Sequence, residues 1–168
     1  MTRREVTIRL NGQPVSATVE PRQTLVDFVR EEAGLTGTHV GCEHGVCGAC
    51  SVLLDGEAVR SCLIFAVQAD GHEVTTVEGL LETDGRPALL QDCFWETHAL
   101  QCGYCTPGML IAAHALLAEV PDPSDAEIRD AISGNLCRCT GYVQIVEAVR
   151  LAADRLNQRR PAGGEGAP

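Results

Sequence analysis

The sequence predicts an α+β fold of two small domains, a β-rich one followed by an all-α one. Two hairpin patterns fall in the first half, where short runs of apolar residues flank the turn dipeptides Asn11-Gly12 and Asp55-Gly56. After about residue 84 the spacing of apolar residues becomes helical. We therefore place the first domain at residues 1–82, the second at residues 83–157, and a mobile polar tail at residues 158–168.

The first domain is expected to contain five short strands and one helix. The strands are predicted at residues 6–10, 15–19, 51–54, 58–60 and 74–77. Thr24 is a good N-cap for a short helix that places Leu25, Phe28 and Val29 on one face, and Gly34 ends it. This order of elements indicates a sheet with a helix packed across it.

The second domain is predicted to contain four helices. The first spans residues 87–100, and the second opens at Thr106-Pro107, where proline suits the first helical position. The run Ser124-Asp125-Ala126-Glu127 is a capping box for the third. The fourth starts at Thr140-Gly141, and its expected core positions are Val143, Val146, Val149 and Leu156.

Composition excludes several classes of function. The formal net charge is −10 and all 13 basic residues are arginine, so the acidic surface would repel nucleic acid and anionic lipid. No run approaches the roughly 20 apolar residues of a membrane span, and the charged start lacks a secretory signal, so we expect a cytoplasmic protein. Disulfides are rare in the cytoplasm, so the nine cysteines favour metal binding.

The first cysteine set has the spacing of a plant-type [2Fe–2S] site. The segment GCEHGVCGAC and a later cysteine give C-x4-C-x2-C…C, with Cys42, Cys47, Cys50 and Cys62 as ligands. Three thiolates from one loop require a backbone that wraps with its amides inward, which the glycines of this loop permit. Zinc is the alternative, although zinc sites usually pair two C-x2-C knuckles. His39 and His44 are interpreted as exposed loop residues.

The second set comprises Cys102, Cys105, Cys137 and Cys139, in the segments QCGYC and CRC. Each segment precedes a predicted helix, and the free amides and dipole of a helix N-terminus favour thiolates. The spacing alone leaves zinc open here. A ninth cysteine, Cys93, is expected to be a buried apolar residue. Phe94, Trp95 and Tyr104 are interpreted as core or interface packing, and Arg138 as a cluster-tuning, partner-pairing or merely solvated residue.

The motifs GCEHGVCGAC, QCGYCTPGML and GNLCRCTGY, in this order, resemble the small iron–sulfur subunit of the molybdenum hydroxylases. This is the family of xanthine oxidase, aldehyde oxidoreductase and aerobic carbon monoxide dehydrogenase, and the similarity runs from about residue 6 to 156. The resemblance implies a β-grasp ferredoxin-like domain followed by a four-helix domain, with one [2Fe–2S] cluster in each. It also implies that Gln101 hydrogen-bonds the pterin of a molybdopterin cofactor, with the Cys139 region beside it.

The resemblance further implies an electron-transfer subunit of a heteromeric molybdenum-containing oxidoreductase. Substrate would react at molybdenum on a large subunit, and electrons would pass through the C-terminal and then the N-terminal cluster towards FAD on a medium subunit. The sequence fits a subunit that binds no substrate itself, because it lacks a nucleophile with a base, paired carboxylates and a phosphate loop. The EHGV segment hints at an N-heteroaromatic or other organic substrate. The alternative function is a free-standing ferredoxin-like carrier or redox sensor.

Overall fold

The computed structural model describes residues 2–82, 84–86 and 88–159. Five strands come first, interrupted by one short helix, and four helices follow. The strands are β1 (Arg4–Leu10), β2 (Gln13–Val19), β3 (Ser51–Leu54), β4 (Glu57–Arg60) and β5 (Glu73–Thr75). The helices are α1 (Leu25–Asp27, continued by a π-helical turn at Phe28–Glu32), α2 (Leu89–Glu96), α3 (Thr106–Glu119), α4 (Asp125–Ile132) and α5 (Val143–Arg159).

The strands form one mixed sheet in the order β2-β1-β5-β3-β4. Both predicted hairpins are present, with β1 antiparallel to β2 and β3 antiparallel to β4. Their turns need positive φ, which Asn11 (49°) and Asp55 (51°) adopt together with the glycines that follow them. The strand β5 lies between the hairpins, parallel to β1 and antiparallel to β3. This is the β-grasp arrangement expected from the resemblance.

The helix α1 packs across this sheet and completes the first core. Leu25, Phe28 and Val29 are fully buried against strand residues such as Ile8 and Val52, as their helical spacing predicts. The Thr24 hydroxyl accepts a hydrogen bond from the Asp27 amide, which confirms the predicted N-cap. This packing leaves the long connection between α1 and β3 at one end of the sheet.

The four predicted helices of the second domain are present around a separate core. The predicted helix at residues 87–100 is shorter, because the chain leaves helical geometry after Glu96 and His98 has a φ of 54°. Pro87, its predicted start, lies outside the described residues. The predicted domain boundary after residue 82 stays a prediction.

The predicted core face of α5 is partly wrong. Val146 and Val149 are buried, but Val143 is 62% exposed and Leu156 is 39% exposed. The buried face follows Ile145, Ala148, Val149 and Ala152, which recur at the i, i+3, i+4 and i+7 spacing of one helix face. The helix also starts at Val143 rather than at Thr140-Gly141, because the preceding residues fold around the Cys137 sulfur.

The helix α5 includes Gln158 and Arg159, the first residues of the predicted mobile tail. The remainder of that tail, residues 160–168, lies outside the described residues. Within the part of the chain that the structure describes, no helix is both long and apolar enough to cross a membrane.

The N-terminus of α4 provides a test of local stability. The Ser124 hydroxyl accepts from the Glu127 amide (3.3 Å) and the Glu127 carboxylate accepts from the Ser124 amide (2.7 Å), so the predicted capping box is confirmed. We expect Ser124→Ala to lower the local free energy of unfolding by about 1 kcal/mol, because an amide loses its acceptor. The measurement is amide hydrogen exchange across α4.

The matched control is Ser133→Ala, at the exposed C-terminal end of the same helix. Among the described residues the Ser133 side chain makes no hydrogen bond, so its loss should leave exchange unchanged. Equal protection in both variants would contradict the contribution of the cap.

Candidate metal centres

The structure brings each predicted cysteine set together at one end of its domain. In the first set, Cys42, Cys47 and Cys50 lie on the loop before β3, and Cys62 lies in a short helical turn just after β4. Because β3 and β4 form a hairpin, Cys50 and Cys62 flank its open end. The Ser61 hydroxyl donates to the Cys50 carbonyl (2.6 Å) and fixes this approach.

Within each set the thiols form two pairs. The Cys42 thiol contacts that of Cys47, and the Cys50 thiol contacts that of Cys62. In the second set the Cys139 and Cys102 sulfurs are 3.5 Å apart, and the Cys105 thiol contacts that of Cys137. Each site therefore contains two neighbouring pairs of thiols, and each pair could ligate one of two adjacent iron atoms.

This pairing suits a two-iron cluster better than a single ion. A [2Fe–2S] cluster takes four cysteine thiolates, two on each iron, whereas structural zinc draws four ligands around one point. Across residues 2–82, 84–86 and 88–159, no three His, Cys, Asp or Glu side chains converge closely enough to hold one metal ion. The donor set therefore fits [2Fe–2S] at both sites.

Backbone amides of the first loop point at the Cys42 sulfur. Hydrogen bonds from the amides of His44 and Cys47, the latter at 3.4 Å, lower the pKa of Cys42 to about 6. The loop achieves this curvature with positive φ at Glu43 (56°) and Gly45 (83°). These donors would stabilise the negative charge of a thiolate-bound cluster and thereby raise its reduction potential.

One thiol in each site, that of Cys62 in the first and that of Cys105 in the second, is held as a neutral group. Burial, followed by the neighbouring Cys50 thiol, raises the pKa of Cys62 to about 11. Burial and the Cys137 thiol likewise raise the pKa of Cys105 to about 12. Since only thiolates ligate iron, binding would release these protons, and the binding free energy has to cover their ionisation.

The second set is held by two loops that each lead into a helix. Cys102 and Cys105 precede α3, and Cys137 and Cys139 precede α5. Burial alone would raise the pKa of Cys137, but hydrogen bonds from the Thr140 hydroxyl (3.2 Å) and amide (3.4 Å) outweigh burial and lower that pKa. These donors belong to the loop before α5 and not to the helix terminus that the spacing predicts, because the helix starts only at Val143.

The outer part of the second site is open to solvent. Cys102 and Cys139 are exposed, whereas Cys105 and Cys137 are half-buried. Gln101 is also exposed, and its side-chain amide donates to the Cys139 carbonyl at 3.2 Å. The structure therefore places the two residues predicted to contact a pterin side by side at the mouth of a small cavity lined by this cysteine set.

The two ligand loops also contact each other. The amide of Leu136, next to Cys137, donates to the carbonyl of Cys47 at 2.9 Å. Nearby, the Tyr104 hydroxyl donates to the Val40 carbonyl (2.5 Å), and its ring stacks on His39 with centroids 4.8 Å apart. One hydrogen bond thus joins a residue of the first cysteine set directly to the neighbour of a residue in the second.

Family models match both halves of the chain. A 2Fe-2S iron-sulfur cluster binding domain matches residues 8–81, and a [2Fe-2S] binding domain matches residues 76–150. The nicotinate dehydrogenase small FeS subunit of Eubacterium barkeri is 51% identical over 92% of this chain and 98% of its own length. Caffeine dehydrogenase subunit gamma of Pseudomonas sp. (strain CBB1) is 53% identical over 89% of this chain and 91% of its own.

Among solved structures, a chain of quinoline 2-oxidoreductase from Pseudomonas putida 86 superposes with a TM-score of 0.89. It is 48% identical and aligns over 95% of this chain and 99% of its own length. This protein belongs to the small iron–sulfur subunits of the molybdenum hydroxylases. The aldehyde oxidoreductase of Megalodesulfovibrio gigas is 42% identical over 92% of this chain, which spans only 17% of that longer protein.

The remaining predictions for this iron–sulfur subunit have mixed outcomes. Cys93 is fully buried and Phe94 nearly so, as predicted. Trp95 is 73% exposed, so its predicted place in a core is wrong and its place in an interface stays a prediction. Tyr104 is 49% exposed, although its ring stacks on His39. Arg138 and His44 are exposed, but His39 is half-buried against Tyr104, so its interpretation as an exposed residue is wrong.

Sequence reasoning missed the residues that brace the ligand loops. The Tyr142 hydroxyl accepts from the Cys137 amide (2.8 Å) and donates to the Asn135 carbonyl (3.2 Å). Tyr142, Thr140 and Asn135 all lie within the segment that carried the family resemblance, so their position beside the ligands was a usable signal. Arg60, which reaches Asn135 from the other domain, gave no such signal.

The two thiol sets lead to a test by metal analysis. We expect about four iron atoms per chain, in two spectroscopically distinct [2Fe–2S] centres, because the donor environments differ. Cys47→Ser should lose about half of this iron and one of the two paramagnetic signals of the reduced protein. The control Cys93→Ser replaces a buried cysteine outside both sets and should keep both.

One zinc and two irons per wild-type chain would contradict a cluster in the second domain. Retention of both paramagnetic signals in Cys47→Ser would show that Cys47 is dispensable as a ligand.

Proposed function

We propose that this chain carries electrons within a heteromeric molybdenum hydroxylase, from a molybdopterin site on a large subunit towards FAD or another acceptor on a medium subunit. The observation that carries the proposal is the direct hydrogen bond between the two ligand loops, from the Leu136 amide to the Cys47 carbonyl. An electron that passes from one site to the other within a chain needs the two sites close together, and this contact holds the two ligand loops together. Each bound [2Fe–2S] cluster would accept and release one electron at a time.

The exposed mouth of the second site supports its position next to molybdenum. Cys102, Cys139 and Gln101 lie there, so a cofactor held by another subunit can come close to this site. Two large apolar side chains that adjoin ligands of this set and line the same cavity are also exposed, namely Tyr104 and Leu136. Exposed apolar residues clustered around a site are typical of a subunit interface.

The first site has an apolar rim of its own. Val46 and Leu63, each adjacent to a ligand, are exposed, as is Phe65. A second partner can therefore approach from this side, and we assign it to the FAD-bearing or other acceptor subunit. The chain's own role is to hold the eight thiolates, shield the inner ones and aim amides at the sulfurs.

The substrate class that we propose is N-heteroaromatic. Nicotinate, caffeine and quinoline, the compounds that name the three most similar proteins above, all contain a nitrogen heterocycle. Substrate would bind on the large subunit, so this proposal concerns the complex rather than this chain. A cytoplasmic location stays a prediction from the sequence.

Purification separates this proposal from a free-standing ferredoxin-like carrier. Isolated from its native host, the chain should elute in a stable complex with larger subunits that contain molybdenum. A monomer that carries both clusters and elutes without partners would favour the free-standing carrier instead.

The order of the two sites is tested with Cys47→Ser in the assembled complex. Substrate should still reduce the second-domain cluster, because its path from molybdenum does not include the first site. Turnover with the external acceptor should fall sharply, by at least about tenfold, which corresponds to about 1.4 kcal/mol. Rapid-mixing spectroscopy follows cluster reduction, with Cys93→Ser as the control. If substrate no longer reduces the second-domain cluster, the proposed order is reversed.

The contact to the pterin is tested at Gln101. A glutamine amide offers both a donor and an acceptor to a pterin edge, and leucine offers neither. We expect Gln101→Leu to leave polar groups unpaired at a buried interface, at a cost on the order of 1–3 kcal/mol. Molybdenum content or the rate of cluster reduction in a single turnover should therefore fall, with both iron–sulfur spectra intact.

The control is Gln13→Leu, an exposed glutamine on β2 at the far edge of the sheet. Wild-type molybdenum content and wild-type reduction rates in Gln101→Leu would contradict the inferred contact between Gln101 and the pterin.

A further inference from the structure

Arg60 lies between the two cysteine sets and bonds to both domains. It ends β4, two residues before Cys62. One guanidinium nitrogen donates to the Ser51 hydroxyl at 2.7 Å, and the other donates to the Gly134 carbonyl (2.7 Å) and the Asn135 side-chain oxygen (3.2 Å). Ser51 follows a ligand of the first set, and Gly134 and Asn135 precede a ligand of the second.

Asn135 completes the contact from the other side. It is 1% exposed, and its side-chain amide donates to the Gly48 carbonyl at 3.0 Å and to the Ser51 hydroxyl at 3.3 Å. Its backbone continues into Leu136, whose amide bonds to the Cys47 carbonyl. Arg60 and Asn135 together therefore tie the segment 47–51 to the segment 134–136, and each segment carries or adjoins cluster ligands.

The surrounding backbone is closely packed at two glycines. A Cβ on Gly48 would collide with the Gly134 carbonyl, and a Cβ on Gly108 of α3 would collide with the Gly48 carbonyl. Gly48 also has a φ of 73°, which favours glycine. The fork of Arg60 fits this confined space with bonds in two directions, which a lysine ammonium at the same position would not reproduce.

The charge of Arg60 is not balanced by a carboxylate. None of the ion pairs formed among the described residues includes it, and its acceptors are neutral oxygens. A cluster bound by four thiolates is negatively charged and becomes more so on reduction. A fixed cation beside it therefore favours the reduced state.

We infer that Arg60 and Asn135 are positioning residues, which fix the separation and orientation of the two clusters, and that the Arg60 charge also raises the reduction potential of the first cluster. The inference requires both clusters in the chain. It does not depend on the identity of the electron donor or acceptor.

The test uses the purified protein with whatever subunits accompany it, reduced chemically rather than by substrate. Two quantities are measured: the midpoint potential of each cluster, and the splitting of the paramagnetic resonance signals that arises when both clusters are reduced and interact. The variants are Arg60→Gln, Arg60→Lys and Asn135→Ala. Arg9→Gln is the control, because it removes an exposed charge from β1, which β5 separates from β3. The Cys47→Ser spectrum identifies which signal belongs to the first cluster.

In Arg60→Gln we expect the equilibrium constant for reduction of the first cluster to fall about tenfold, a shift of about 59 mV for one electron. The shift of the second cluster should be smaller, and the splitting should change. Arg60→Lys should restore the potential but not the splitting, since it keeps the charge and loses the fork. Asn135→Ala should alter the splitting and leave the potential of the first cluster near its wild-type value.

Two results would overturn the inference. The control Arg9→Gln is expected to keep wild-type potentials and wild-type splitting. If Arg60→Gln kept both as well, Arg60 would neither position the clusters nor raise the potential of the first one. Loss of both clusters in Arg60→Lys as well as in Arg60→Gln would make the contact a requirement for folding rather than for positioning. Because reduction is chemical, a failure of the proposed molybdenum partnership would not change these readings.

Discussion

The structure depends on one constraint: four thiols must meet at each site, and most of them come from loops. A loop keeps a fixed shape only where its polar backbone groups are bonded, and here many of them are bonded to the sulfurs or to the other domain. The amides that converge on Cys42 shape the first loop, and Thr140 and Tyr142 shape the last. The sheet and the helices fix the two ends of each loop, and the contacts between the loops fix their central residues.

This constraint explains why the two domains pack with their ligand loops against each other. The Leu136 amide and the Cys47 carbonyl satisfy each other across the interface, so neither loop needs a separate partner at that point. The interface is polar at its centre, with Asn135 almost completely buried, and such a group is stable only when its hydrogen bonds are made. Specific polar contacts of this kind define one relative placement more strictly than apolar packing does.

Sequence reasoning succeeded where the determinants are local. The turns at Asn11-Gly12 and Asp55-Gly56, the caps at Thr24 and Ser124, and the spacing within each cysteine motif are all set by residues a few positions apart. It failed where packing decides, as on α5, whose buried face includes Ala148 and Ala152 rather than Val143 and Leu156. The contact between Arg60 and Asn135 joins residues 75 positions apart, and no local pattern marks it.

The same geometry accounts for the similarity of this chain to proteins named for different substrates. Identities of 51%, 53% and 48% to proteins named for nicotinate, caffeine and quinoline are nearly equal, although the three compounds differ in size and shape. The demands that the structure does show concern thiol placement, amides directed at sulfur and the packing of two loops, and none of them involves a substrate. Proteins named for different substrates can therefore share this architecture.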